Sequence, residues 1–75
     1  MKLHYYPETD SLYIEFNDMP GSDVIEVADG LVVDIDASGN PVGIDIDRAS
    51  ERLDLSAVET IALPATPARE RVGSE

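Results

Sequence analysis

Asp34, Asp36 and Asp45 are the residues whose types and spacing come nearest to a chemistry. The run Asp34-Ile35-Asp36-Ala37-Ser38-Gly39, with Asp45 at its twelfth position, nearly fits the calcium loop D-x-[DN]-x-[DN]-G-x5-E. Ser38 and Asp45 are the departures. A calcium loop sits between helices and folds its twelfth residue back onto the ion. Here both flanks alternate apolar and polar residues, which is the period of strands. With Asp36 opposite Pro41, Asp45 lies four residues further along, roughly 13 Å away at about 3.4 Å per residue. Calcium ligands must come within about 2.6 Å of the ion. The stretch therefore reads as a polar hairpin face with a turn-favouring Asp, leaving Asp34 and Asp36 as candidates for a weakly held cation at most.

The remaining candidates are weaker. Asp34, Asp36, Asp45 and Asp47 could form a carboxylate pair for acid–base work, but the pattern puts them on an open sheet face with no neighbouring nucleophile. His4 is expected beside Tyr13, with Tyr6 nearby, as an exposed strand residue. Ser11, Ser22, Ser50 and Ser56 have no nucleophile-elbow context. Gly21, Gly30, Gly39 and Gly43 read as turn or close-packing glycines, not a phosphate loop. The chain has no cysteine, which excludes disulfides and thiolate chemistry. No enzyme activity and no cofactor are expected.

The elements that carry these residues follow from alternation. Leu31 to Asp47 reads as a hairpin, with Leu31, Val33 and Ile35 facing Val42, Ile44 and Ile46 across a turn at Ser38-Gly39. A one-residue slip moves every side chain to the other face. The register that joins the apolar faces pairs Ile35 with Val42, Val33 with Ile44 and Leu31 with Ile46, and leaves an even-length turn. Lys2 to Tyr6 and Ser11 to Phe16 form a hairpin around Pro7-Glu8-Thr9-Asp10. It pairs Tyr5 with Leu12, Leu3 with Ile14 and His4 with Tyr13, and it sets Lys2 and Glu15 together as an ion pair. Val24 to Val27 is a third short strand. A three-residue link, Ala28-Asp29-Gly30 with Gly30 left-handed, opposes Ile25 to Val33 and Val27 to Leu31.

The expected fold is thus α+β: a five-stranded antiparallel β-meander with one face covered by one or two short C-terminal helices. Asp47 is the expected cap of a helix over Arg48 to Leu53, and Asp54 that of a second over Leu55 to Ala62. Ala49, Leu53, Leu55, Val58 and Ile61 would pack on the sheet. Five strands at about 4.8 Å spacing span about 19 Å, more than one helix of roughly 10 Å can hide. A homodimer through the remainder is expected. Residues 1–63 form one small domain, and 64–75 read as a disordered tail of mixed charge.

Charge is the unusual property. The 75 residues carry a net charge of −11. Between Leu3 and Asp47 stand eleven carboxylates and no Lys or Arg. Such a surface repels nucleic acid and anionic lipid and attracts a basic partner. With no signal-like run at the start and no stretch near the ~20 apolar residues of a membrane helix, a cytoplasmic location is expected, with no membrane and no direct nucleic-acid contact.

Three stretches together resemble an uncharacterised bacterial family, catalogued as domain of unknown function 2283. They are Tyr5-Tyr6-Pro7-Glu8-Thr9-Asp10-Ser11-Leu12-Tyr13-Ile14, then Val27-Ala28-Asp29-Gly30-Leu31-Val32-Val33-Asp34, then Asp36-Ala37-Ser38-Gly39-Asn40-Pro41-Val42-Gly43-Ile44-Asp45-Ile46, closing with Ala49-Ser50. The resemblance covers about residues 1 to 55. The family tends to carry an acidic residue at Ser38 and Glu at Asp45. The resemblance implies a small sheet-plus-helix domain and no established activity. Members similar to this are often encoded beside small toxin-like proteins, and the resemblance therefore implies a partner-binding or antitoxin-like role.

The leading functional expectation is a non-catalytic protein-interaction module for a basic protein. Its expected face holds Tyr6, Tyr13, Val32, Asp34, Asp36 and Asp45, aromatics and a valine among carboxylates. The alternatives are an acidic mimic of nucleic acid, which should space its carboxylates roughly like phosphates and for which Asp34/Asp36 and Asp45/Asp47 are no more than suggestive, and a small metal-binding or enzymatic domain.

Overall fold

The computed structural model describes residues 1–64. The expected tail, beyond Pro64 itself, lies outside the described residues. Five strands appear close to where alternation places them: β1 (Lys2–Tyr6), β2 (Ser11–Glu15), β3 (Asp23–Ala28), β4 (Leu31–Ile35) and β5 (Pro41–Ile46). All neighbours are antiparallel.

The order of the strands corrects the meander. The sheet runs β1-β2-β5-β4-β3, so β5 inserts beside β2 and β3 lies at the far edge. This is a Greek-key arrangement: three hairpin-connected strands, with the preceding strand joined by a long connection. The chain from Phe16 to Ser22 crosses one end of the sheet, tied by Phe16 N–H to the Val42 carbonyl (2.9 Å) and by Ser22 N–H to the Ile35 carbonyl (2.8 Å). The composition of the strands explains the choice. A meander would place β3, with Asp23 and Glu26, in the centre and leave Val42, Ile44 and Ile46 on an edge. The observed order centres the apolar strand and puts the charged one where water reaches every residue of it. Adjacent elements pair only about two-thirds of the time, and here burial decides against it.

Most of the register agrees with the apolar pattern. The β1–β2 pairs are Leu3 with Ile14, His4 with Tyr13 and Tyr5 with Leu12. Leu31 with Ile46, Val33 with Ile44 and Ile25 with Val33 also form as expected. Two bulges alter the rest. Ile35 pairs with Pro41 instead of Val42, and Ala28 instead of Val27 opposes Leu31. The extra residues are Val42 and Val27, and a bulge lets each arm gain one residue without flipping the rest of the strand. Gly30 and Gly39 adopt the positive φ their turns need, 78° and 87°.

One face of the sheet carries two apolar rows, Tyr5–Leu12–Ile46–Leu31–Ala28 and Leu3–Ile14–Ile44–Val33–Ile25. The core sits under the first. Leu12, Ile46 and Ala49 are buried together, with Ile14, Leu31 and Ile44 packed beside them. Ala49 belongs to the one helix described, α1 (Ala49–Arg52), only four residues long.

The helical cover is smaller than expected, and its cap is different. Arg48, not Asp47, holds the cap position, with φ 52° and no side-chain cap of its own. The cap comes from Asp10, across the sheet. Its carbonyl accepts Ala49 N–H (2.8 Å), and its carboxylate accepts Ser50 N–H (3.1 Å), the Ser50 hydroxyl (2.7 Å) and the Tyr5 hydroxyl (2.7 Å). The second helix does not form. Asp54 bonds the Ser56 N–H (3.0 Å) and hydroxyl (2.5 Å), a local turn that competes with helix. Val58, Thr60 and Ile61 after it are poor helix formers. Leu53, Leu55, Val58 and Ile61 remain exposed, Val58 and Ile61 at 65% and 81%.

Asp10 therefore locks the one helix among the described residues, whose Ala49 is buried in the core. Its carboxyl is held below the ordinary 3.8, first by the Ser50 hydroxyl and then by that of Tyr5. A depressed folded-state value stabilises the fold above about pH 4 and loses that stabilisation as pH falls through the lower value. Asp10→Ala should lower the melting temperature at pH 7 and make it less sensitive to acid below pH 4. Asp10→Asn, which tolerates positive φ and keeps one acceptor, should fall between the two. Thermal melts of the three proteins from pH 7 to pH 2 check the order.

Candidate functional site

The opposite face of the sheet carries the polar rows. His4–Tyr13–Asp45–Val32–Glu26 crosses all five strands, and Lys2–Glu15–Gly43–Asp34–Val24 runs beside it. Alternation against the apolar face puts them there, since a strand that buries Leu12 and Ile14 must turn Tyr13 and Glu15 outward. Tyr6, at the end of β1, shares this face and is exposed. Five of the six residues expected at an interaction face, Tyr6, Tyr13, Val32, Asp34 and Asp45, are thus on one surface.

Asp36 is not. β4 ends at Ile35, and Asp36 opens the turn. Its carboxylate accepts the N–H groups of Ser38 and Asn40, both at 2.9 Å. Those bonds, Asn40 first, hold its carboxyl below the ordinary carboxylate value. Asp36 is a turn residue, as the choice of Asp before Ser-Gly suggests.

Tyr13 is the centre of the face. Its hydroxyl reaches diagonally over β5 and donates to Asp34 Oδ2 at 2.8 Å. Gly43 makes this crossing possible. A Cβ there would stand 2.7 Å from Tyr13 Cζ and overlap the hydroxyl. Gly43 is buried because the ring covers it. On the other side of Tyr13, the His4 ring lies 6.2 Å away, tilted by 36°. His4 Nε2 meets Glu15 Oε1 at 3.0 Å, which corrects the expected Lys2–Glu15 ion pair. Lys2 and Glu15 are opposite in register, but the Glu15 carboxylate turns to the imidazole.

The face is electrostatically crowded. The Asp34 bond, burial and the neighbouring charges of Asp34, Glu15 and Asp45 push the Tyr13 phenol up to about 12. Asp45 is raised above the usual carboxylate value by loss of water, then by Asp47 and Asp34. A raised carboxyl favours the fold when protonated, so Asp45 opposes stability increasingly as pH rises through its value. In an alkaline titration followed by tyrosinate absorbance, Tyr5, held up by its bond to Asp10, and Tyr13 should both titrate above the ordinary 10.0, Tyr13 last at about 12. Asp34→Asn removes the largest cause and should bring that step back toward 10. An unchanged late step in Asp34→Asn would contradict the assignment.

The face presents carboxylates, a phenol and an imidazole already engaged with one another. Asp34 serves Tyr13 and Asp36 serves the turn, so the two cation candidates point to different partners within the chain. Among the described residues, no group of three or more His, Asp or Glu is arranged to hold a metal ion. Reading the sequence missed the Asp10–Ser50–Tyr5 network and the Tyr13–Gly43–Asp34 crossing. Signals for both were present: Asp10 and Ser50 fall in two family-like stretches, and Gly43 stands between the β-branched Val42 and Ile44 inside a strand, which marks a close approach.

Among the described residues, no helix is long and apolar enough to cross a membrane. No curated protein and no solved structure matches the chain. A family model described as a protein of unknown function does match, over residues 2–50, from the first strand to the Ser50 that Asp10 caps. The chain belongs to this family, DUF2283.

Proposed function

We propose that the protein is a non-catalytic interaction module whose acidic sheet face holds a basic protein segment, in an antitoxin-like or inhibitory role. One observation carries the reading: Glu15, Asp34, Asp45 and Glu26 share a single face with Tyr6, Tyr13 and Val32. Carboxylates attract Lys and Arg over distance, and the tyrosines and Val32 give their aliphatic stems and guanidinium planes a surface to lie on. Loss of water and then the neighbouring Asp47 and Asp34 raise the Asp45 carboxyl, and an incoming cation offsets that repulsion.

The test uses an Arg- and Lys-rich peptide and two variants of equal charge change. Asp34→Asn/Asp45→Asn removes two of the four carboxylates of the face, and Asp18→Asn/Glu59→Gln removes the same charge elsewhere. Binding should weaken at least about 10-fold in the first pair and less than about 3-fold in the second, where only screened long-range attraction is lost. Equal weakening by both pairs would reduce the interaction to net charge and sink the reading.

A further inference from the structure

We propose that the uncovered apolar face of the sheet is the contact surface for a second copy of this chain, paired about a two-fold axis lying between the two sheets. This goes beyond the acidic-face reading, because it concerns the other side of the sheet.

The face is incomplete as a monomer surface. Only Leu12, Val42, Ile46 and Ala49 are buried hydrophobics among the described residues. Leu3 at 49% and Ile25 at 51% exposure end the second apolar row, and Val33 and Ile44 inside it are only half-buried. Water-facing apolar patches of this extent mark interaction sites.

Charge selects the occupant. Neither apolar row contains an ionisable carboxylate or a base. A basic partner finds no counter-charge there, and an anionic surface is repelled by the chain's −11. A second copy brings an equally uncharged patch and keeps both acidic faces outward, on opposite sides of the pair. Stacked sheets pack about 10 Å apart, so the two sets of carboxylates stay separated by two sheets.

Shape and area agree. Leu55 and Val58 stand over the β1–β2 side, where they line a groove of about 420 Å³ with Leu3, Tyr5, Leu12 and Ser50. Among the described residues, the β4–β3 side, with Val33 half-buried and Ile25 exposed, has no such cover. A two-fold axis between the sheets lays the raised side of each copy over the bare side of the other, the self-complementary geometry of a two-fold dimer. The sheet face measures about 19 by 17 Å between its outer strand axes, about 24 by 17 Å with the strands' own width. That flat area of about 400 Å², enlarged by side-chain relief and the Leu55–Val58 ridge, approaches the roughly 600 Å² per partner of the smaller standard interfaces.

Analytical ultracentrifugation of the full chain tests this, with three exposed positions changed. The wild type should sediment at twice the monomer mass in micromolar solution, and more tightly in high salt, which screens the repulsion between two acidic chains. Ile25→Lys and Leu55→Lys should each weaken the dimer at least about 30-fold, the effect of losing an interface anchor. Val24→Lys, on the acidic face of the same edge strand, should leave it intact. Isotope-filtered NMR of a mixed labelled and unlabelled sample should show contacts between copies at the Ile25, Val33 and Ile44 methyls, and needs no variant to fold. A monomer at all concentrations would overturn the proposal. So would a dimer that survives Ile25→Lys and Leu55→Lys, which would place the contact on a strand edge or the acidic face. Neither result bears on peptide binding by the acidic face.

Discussion

Ile46→Ala should cost the domain about 2–4 kcal/mol, the range for an aliphatic side chain removed from a closed site. Ile46 is 7% exposed and pairs with Leu12 on one side and Leu31 on the other. It also lies in the cluster with Ala49. Ile46 thus joins both neighbours of β5 to the helix. A small domain holds about 5 kcal/mol at the low end of natural stabilities, so the variant should be largely unfolded in mild urea. Ile44→Ala, in the half-buried row of the same strand, should cost less than half as much. Urea unfolding by circular dichroism, at one fixed protein concentration, measures both. Equal losses would show that the core does not lie under the helix.

Gly43→Ala should destabilise by about 1–3 kcal/mol, against the usual preference for alanine over glycine within a strand. The cause is the Tyr13 ring, which occupies the space of the new methyl and would have to leave Asp34. A double-mutant cycle separates this from backbone effects. In a Tyr13→Ala background, Gly43→Ala should be neutral or stabilising, since the obstruction is gone. The same substitution should also move the late tyrosine step toward 10 in the wild-type background. A loss of equal size with and without Tyr13 would contradict the crossing.

Alternation alone made much of this legible. It placed five strands, the β1–β2 register in full, and the apolar pairs Val33–Ile44 and Leu31–Ile46. These pairs are fixed by which face is buried, and a sequence records that directly. The strand order was not legible, because alternation says which face a strand hides and not which neighbour it takes. β5 and β3 differ in charge, and that difference, read as a competition for the centre of the sheet, points to the observed order. The two bulges were also hidden. Val42 and Val27 look like ordinary pattern residues, and only the closing of the two turns makes each of them extra.

At the site, Tyr13, Val32, Asp34 and Asp45 were legible as a set, because period-two alternation puts them together. Asp36 broke from the set where the strand ended one residue early and its carboxylate joined the turn. The Asp10 cap was invisible for a different reason. It joins residues 40 positions apart, and neither helix propensity nor a local cap motif reports a cap delivered through space. The local candidates, Asp47 and Asp54, met the usual rule. Asp47 gave way to a left-handed Arg48, and Asp54 closed a turn on Ser56.

The most direct test of the interaction reading is capture of a partner from the host lysate with tagged wild type, Asp34→Asn/Asp45→Asn and Asp18→Asn/Glu59→Gln, washed first at low and then at high salt. The account predicts a basic protein retained at low salt by the wild type and the second variant, lost from the first variant, and released from both by high salt. Retention by Asp34→Asn/Asp45→Asn equal to the wild type, or no basic protein retained by any of the three, would contradict it.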